Sequence, residues 1–194
     1  MSELLRVENL SVSFDTPRGE IQAVRGVSLA LSRGEVLAVV GESGCGKSVL
    51  CKAVMKLLPP TARIRAGRIF LNGTDITDYR EREMRRLRGR AFSMVFQDPM
   101  TALNPTIPVG RQIAEAVRAH NRRLPEAAVR QKVLALMELV GIERGAERYD
   151  LCPHSFSGGM RQRAVMAAAL AADPLLLIAD EPTTALDVTV QAQI

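Results

Sequence analysis

The sequence lacks several features that large classes of proteins require. It has no tryptophan, and aromatic residues make up only 4% of its 194 residues, so it offers little of the stacking surface on which single-stranded nucleic acid is bound. The spacing of its three cysteines, Cys45, Cys51 and Cys152, does not match a zinc site. An odd number of cysteines at such spacing indicates free thiols, and we therefore expect a reducing, cytosolic compartment.

Long apolar runs and a leader sequence are also missing. The first residues do not combine basic and apolar side chains as a secretory signal does, and the longest apolar stretch, 164–178, is interrupted by Asp173-Pro174. A membrane-spanning helix needs about 20 apolar residues. We therefore expect no membrane span, so that any role at a membrane comes through a partner protein. The net charge of +5 is modest, and we expect no nucleic acid partner.

The most informative stretch is a glycine-rich segment that predicts a phosphate-binding loop. Its glycines let backbone N–H groups approach a phosphate closely. Its lysine adds a mobile positive charge, its last hydroxyl suits Mg²⁺, and the helix that follows points its positive end at the anion. The alternative, a plain turn between a strand and a helix, does not require a lysine and a hydroxyl at this spacing. The residues are Gly41, Glu42, Ser43, Gly44, Cys45, Gly46, Lys47 and Ser48.

The pattern of apolar residues predicts two kinds of strand. Residues 10–14 and 27–31 alternate between apolar and small or polar side chains, which predicts an N-terminal antiparallel hairpin. Three further runs, Val36–Val40, Phe92–Phe96 and Leu175–Ala179, are apolar at nearly every position. Such runs are typical of parallel strands that are covered on both faces. The sequence therefore predicts an antiparallel layer in front of a parallel core sheet.

A helical pattern follows the second of these apolar runs. Apolar residues recur at every fourth position from Val109, and a second apolar stripe extends from 129 to the closing glycine at 141. The pattern of a strand does not interrupt them. We therefore predict a helical subdomain over 98–158, inserted into an α/β core that consists of 1–97 and 159–194.

Polar side chains stand where the three apolar runs end. The phosphate loop follows the first, Gln97 the second, and Asp180 with Glu181 the third. Because ligands bind at the carboxyl ends of parallel strands, we expect these residues to converge. The candidate metal ligands are Ser48, Gln97 and Asp180. Glu181 is the candidate catalytic residue that polarises the attacking water, and Gln97 is the candidate sensor of water, metal or γ-phosphate. The alternative for the two acids is a solvated strand end.

With two further motifs, these residues resemble a known family. Phe156–Met160 and Ala185–Asp187 occur in the order found in ATP-binding subunits of ABC transporters, and the resemblance covers nearly the whole chain. It implies an α/β fold, a P-loop NTPase of ABC type, with a mainly parallel core sheet, an N-terminal antiparallel β layer and an inserted α-helical subdomain. It also implies ATP and Mg²⁺ as cofactors and ATP hydrolysis as the activity.

The resemblance adds nucleotide-binding residues outside the phosphate loop. Ser157, Gly158 and Gly159 lie in the family's signature motif, which faces the nucleotide of the opposite subunit, so that each nucleotide requires two subunits. Phe14 lies where the family has an aromatic residue stacked on adenine, although a strand core residue is the alternative for it. Asp187 matches the position that communicates across the dimer.

Two longer segments around the motifs resemble one branch of this family, the branch that imports dipeptides, oligopeptides and nickel. The segments Val95–Pro105 and Ser157–Arg163 carry this likeness. It implies a peripheral subunit at the cytoplasmic face of the membrane, bound to a second ATP-binding subunit, identical or not, to two transmembrane permease subunits and indirectly to an extracytoplasmic solute-binding protein. Two alternatives stay open: a soluble ABC-type ATPase of DNA repair or translation, and a nucleotide-binding fragment without turnover.

The sequence departs from the family pattern in two places. Met160 replaces the glutamine that commonly ends the signature motif. The family's switch histidine lies beyond the strand that follows Asp187, whereas the sequence ends at Ile194, and neither His120 nor His154 occupies the missing position. We therefore expect a C-terminally truncated chain in which ATP binding is better preserved than turnover.

Overall fold

The computed structural model describes residues 2–96 and 102–182, and the chain divides into two compact units. The first unit is Met1–Arg86 and the second is Leu87–Ile194. Antiparallel strands dominate the first, whereas helices and a parallel strand pair form the second. Within the described residues, no helix is both long and apolar enough to cross a membrane. The predicted boundaries of an inserted helical subdomain remain a prediction.

The first unit is built on a four-stranded antiparallel sheet. The sheet order is β2-β1-β3-β4, and β1 and β2 form the predicted hairpin, which turns at Pro17-Arg18. The buried side of β1 includes Val7, Leu10 and Val12. The elements of this unit are β1 (Glu3–Thr16), β2 (Gly19–Ser32), α1 (Lys47–Val54), β3 (Ala62–Leu71), β4 (Thr74–Asp75) and α2 (Glu81–Leu87).

The apolar run Val36–Val40 is not the buried strand that we predict from the sequence. It has no regular secondary structure, and Val36 and Val40 are 94% and 91% exposed. A strand is stable only through hydrogen bonds to a neighbouring strand, and among the described residues no strand pairs with this run. The apolar pattern indicates that the segment tends to be buried, but it does not show whether a neighbouring strand is available for pairing.

The prolines at 59 and 60 predict the end of the helix that follows the glycine-rich loop, but α1 ends earlier, at Val54. Its last carbonyls are capped by two backbone hydrogen bonds, from Lys56 N–H to Ala53 and from Leu57 N–H to Lys52. This is the Schellman arrangement, in which the residue after the cap adopts a left-handed conformation. Lys56 fills that position with φ of +51°. Glycine usually occupies it, so the sequence does not reveal this helix end.

The second unit contains the predicted parallel strand pair. β5 and β6 run parallel, with Val95 opposite Ala179 at their carboxyl ends. Two of the three predicted parallel strands are therefore present and adjacent. The elements of this unit are β5 (Phe92–Val95), α3 (Val109–His120), α4 (Glu126–Leu139), α5 (Gly145–Arg148), a 3₁₀ turn (Pro153–Ser155), α6 (Gly158–Leu170) and β6 (Leu176–Ala179).

The core of the second unit lies between its three longer helices. Ile113 and Val117 of α3, Val133 of α4, and Ala164 and Ala167 of α6 have no exposed surface. The spacing of four predicted this stripe on α3. The small alanines of α6 let the other helices approach closely.

The junction between α4 and α6 is fixed by a glycine and an arginine. Gly141 has φ of +75° and ends α4 in a Schellman arrangement, in which Ile142 N–H donates to the carbonyl of Met137. The glycine predicted to close the second apolar stripe is thus confirmed. Nη1 of Arg163, on α6, donates to the Gly141 carbonyl at 2.7 Å. The helix that follows the signature motif is therefore attached to the end of α4.

Candidate functional site

The glycine-rich loop has a backbone that only glycine adopts without strain. Gly44 and Gly46 have φ of +80° and +100°, in the left-handed region. A Cβ atom on Gly46 would stand 2.3 Å from the carbonyl oxygen of Ala23 on β2. Gly46 is therefore required both for its conformation and for the close packing of the loop against β2.

Lys47 holds the loop in its present shape. Its Nζ donates to the carbonyl oxygens of Gly41 and Glu42, each at 2.8 Å, and lies 3.9 Å from Sγ of Cys45. These acceptors are neutral, and an anionic phosphate oxygen is a stronger partner for an ammonium group. The ammonium group is thus already at the loop and can exchange these carbonyls for a phosphate.

The start of α1 adds further donors for an anion. Gly46 is its N-cap, no side chain caps the helix, and its first turn holds no acidic residue. The first N–H groups of a helix have no partner within the helix, and the helix dipole makes this end positive. Ser48 is the second residue of α1, so its hydroxyl lies at the same end.

A cavity of about 540 Å³ lies beside the loop. It is lined by β2 residues between Ile21 and Val27, by Val39 and Val40, and by residues of the loop and the start of α1. Among the described residues, the charged ones that line it are Arg25 and Lys47, and none is acidic. A cavity with two cations and several apolar side chains suits an organic anion.

Phe14 lies close to this cavity but not among its lining residues. It is half-buried on β1 and stands opposite Ile21 of β2, which does line the cavity. A stack of Phe14 on adenine stays a prediction.

The acidic pair follows directly after β6. Asp180 is 4% exposed, and its N–H donates to the carbonyl of Val95 at 3.0 Å, which extends the β5–β6 ladder by one residue. Glu181 has φ of +48°, a conformation that costs a residue with a side chain about 1–2 kcal/mol. Backbone strain of this kind clusters at functional sites. Gln97 lies outside the described residues, as does Asp187.

The signature motif occupies the exposed start of α6. Ser157 is the N-cap, and its Oγ accepts a hydrogen bond from Met160 N–H at 3.3 Å. Ser157 and Gly158 are exposed and Gly159 is half-buried, whereas Phe156 is buried. The motif thus has an anchored aromatic residue and an open helix N-terminus. Such an arrangement is suited to an anion.

The motifs that we predict to converge are divided between the two units. The phosphate loop belongs to the first unit, whereas the acidic pair and the signature motif belong to the second. The set of metal ligands Ser48, Gln97 and Asp180 therefore remains a prediction, as does the shared site.

The sequence reasoning missed the first half of β2, which forms a wall of the cavity. Pairing of β1 with β2 shifts register between Leu10 and Val12 and again between Val12 and Ser13. These irregularities disrupt the alternation by which strands are recognised. The missed segment includes Arg25. A signal was available in Gly26, since an isolated glycine in a strand often marks a bulge.

A comparison with known protein families identifies the chain. A family model described as ABC transporter matches residues 24–184. The chain belongs to the ABC transporter family. The matched range includes the phosphate loop, the signature motif and the acidic pair, so the resemblance carried by these motifs is confirmed.

Curated relatives within the ABC transporter family are similar along the whole chain. The chain is 55% identical to the dipeptide transport ATP-binding protein DppD of Bacillus subtilis over 100% of its own length and 58% of the relative. It is 54% identical to the oligopeptide transport ATP-binding protein OppD of the same organism, again over its whole length and over 54% of the relative. The chain thus spans a little more than half the length of these relatives.

Solved structures confirm the ABC-type α/β fold. The structure of CbiO1 from Clostridium perfringens, described as part of the ABC transporter complex CbiONQ, has a TM-score of 0.80 and 30% identity, and covers 100% of this chain and 71% of that one. The ATP-binding cassette MJ0796, in a dimeric post-hydrolysis state bound to ADP and Pi, has a TM-score of 0.87 and 23% identity, and covers 98% of this chain and 79% of that one.

Proposed function

We propose that this chain binds ATP at its glycine-rich loop and, within a transporter, hydrolyses it to drive the import of peptides or related small solutes such as nickel. The observation that carries the proposal is the phosphate loop, preorganised beside a cationic cavity, in a chain 55% identical to a dipeptide transport ATP-binding protein. The relatives' names favour transport over DNA repair or translation.

ATP binding follows from the groups that surround the cavity. The N–H groups at the start of α1 and the Lys47 ammonium would contact the phosphates. The apolar side chains of β2 would cover the base and sugar, and Phe14 would stack on adenine. When the nucleotide binds, the ammonium group of Lys47 would exchange its hydrogen bonds to the carbonyls of Gly41 and Glu42 for hydrogen bonds to a phosphate.

Mg²⁺ fits the donor atoms that the motifs provide. A serine hydroxyl at Ser48, a carboxylate at Asp180 and an amide oxygen at Gln97 are oxygen ligands, which this ion prefers. When bound, Mg²⁺ neutralises charge on the β- and γ-phosphate oxygens. Glu181 would hold and polarise the attacking water, because a carboxylate accepts its proton.

The partners that we propose complete the site and couple it to transport. The exposed start of α6, with Ser157 and Gly158, would meet the nucleotide held by a second ATP-binding subunit. Two permease subunits and a solute-binding protein would complete an importer, with this chain at the cytoplasmic face of the membrane. This assembly is supported by the names of the peptide transport relatives.

Substitution of Lys47 tests nucleotide binding. We expect Lys47→Ala to weaken ATP binding about 10- to 100-fold, because a hydrogen bond to a charged group contributes about 1.5–3 kcal/mol. Lys52→Ala is the matched control, since Lys52 lies on the same helix and does not line the cavity. Titration calorimetry with ATP measures both. Equal ATP affinity in the Lys47 and Lys52 variants would contradict the proposed site.

A further inference from the structure

Arg25 is a cavity residue that no motif includes. It is exposed on β2 and lines the cavity beside the phosphate loop together with Lys47. Lys47 donates to two loop carbonyls, whereas no hydrogen bond or ion pair is found for the Arg25 side chain among the described residues. The cavity therefore holds a guanidinium group without a counter-ion.

The backbone around Arg25 is fixed from both sides. On one side, the carbonyl of Ala23 packs against Gly46 of the phosphate loop. On the other, Gly26 has φ of +62° and its N–H donates to Oγ of Ser11 on β1 at 2.9 Å. Irregularities of this kind re-aim side chains next to active sites. The strand that carries Arg25 is therefore attached to the loop that would hold the phosphates.

The charge of the cavity defines its ligand. Within the part of the chain that the structure describes, its lining includes two cations and no acid, whereas a nucleoside triphosphate carries several negative charges. A guanidinium group presents donors in a fork that matches two oxygens of one phosphate, and it stays charged at every relevant pH. A guanidinium group on β2 would add a second cation to the ammonium group of Lys47.

We propose that Arg25 binds the phosphate chain of the nucleotide and makes the cavity select nucleotides by charge. This inference rests on the proposed ATP site, and it adds a second cation from outside the glycine-rich loop. Arg25 recognises phosphate oxygens, so its contribution is large for ATP, smaller for ADP and absent for adenosine.

The test compares Arg25→Gln with Arg18→Gln, which removes the same charge from the exposed turn between β1 and β2. Titration calorimetry with ATP, ADP and adenosine measures the affinities, at low and at high salt. We expect Arg25→Gln to weaken ATP binding about tenfold, to reduce its salt dependence and to leave adenosine binding unchanged. Arg25→Lys should restore part of the loss, and Arg18→Gln should bind like the original chain.

Each outcome decides between the two proposals. If the original chain binds ATP in a Lys47-dependent way and Arg25→Gln binds it equally well, the role of Arg25 is wrong and the proposed function stands. If adenosine binding falls as much as ATP binding, Arg25 stacks on the base and the phosphate role is wrong. If the original chain does not bind ATP, both proposals fail. Circular dichroism of both glutamine variants verifies folding, and Arg25→Lys gives the answer if Arg25→Gln unfolds.

Discussion

Gly46 determines both the backbone conformation of the loop and its packing against β2. Gly44 shares its left-handed backbone, but the space around Gly44 is open, whereas a Cβ on Gly46 would meet the Ala23 carbonyl. A side chain at Gly44 would therefore introduce backbone strain alone, whereas a side chain at Gly46 would introduce both strain and steric overlap. Of the two glycines, only Gly46 is needed for the close approach of the loop to β2.

The pair predicts two different losses of stability. Gly44→Ala should lower the free energy of unfolding by about 1–2 kcal/mol, the cost of a side chain in the left-handed region. Gly46→Ala should cost more and should also weaken ATP binding, because the loop has to move away from Ala23. Urea unfolding and ATP titration measure both variants. If the two variants are equally stable, the contact of Gly46 with β2 does not matter.

At the scale of elements, the helices α3, α4 and α6 form one packed core. Ile113 on α3 is fully buried, whereas Leu139 at the end of α4 is 72% exposed. We expect Ile113→Ala to lower the free energy of unfolding by about 3 kcal/mol through lost contacts and a cavity. Leu139→Ala, a similar truncation at the surface, should change it by less than about 0.5 kcal/mol. Equal losses in urea unfolding would show that this core does not stabilise the unit.

The helical features that the sequence predicts are those whose pattern is local. The stripe on α3 and the closing Gly141 are visible in the sequence because a helix makes its own hydrogen bonds and glycine suits its end. The prediction of a strand at Val36–Val40 was wrong, because a strand needs a neighbouring strand with which to pair. The early end of α1 was missed because Lys56 occupies a position that usually holds glycine.

The same distinction explains what was foreseen of the site. The glycine-rich loop is contiguous, so its residues could be singled out from the sequence, and their binding of phosphate stays a proposal. Arg25 belongs to the site only through the packing of Gly46 on β2, a contact between segments more than twenty residues apart in the sequence. Gly26 signals an irregular strand beside Arg25, but a single sequence does not reveal which segment that strand contacts.

At the scale of the whole molecule, the role that we propose for Glu181 separates turnover from binding. We expect Glu181→Gln, in the complete transporter, to bind ATP normally and to lose nearly all phosphate release, since the amide cannot accept a proton from water. A phosphate-release assay beside ATP titration measures the two steps. Unchanged phosphate release would exclude Glu181 as the base. The isolated 194-residue chain, assayed in parallel, should release phosphate in a Lys47-dependent way if it turns over on its own.

The exposed run Val36–Val40 has a consequence for how the chain behaves in solution. Five consecutive apolar residues, without charge or proline and without a strand partner among the described residues, have the pattern of a segment that aggregates through strand addition. We therefore expect self-association through this segment to increase with protein concentration.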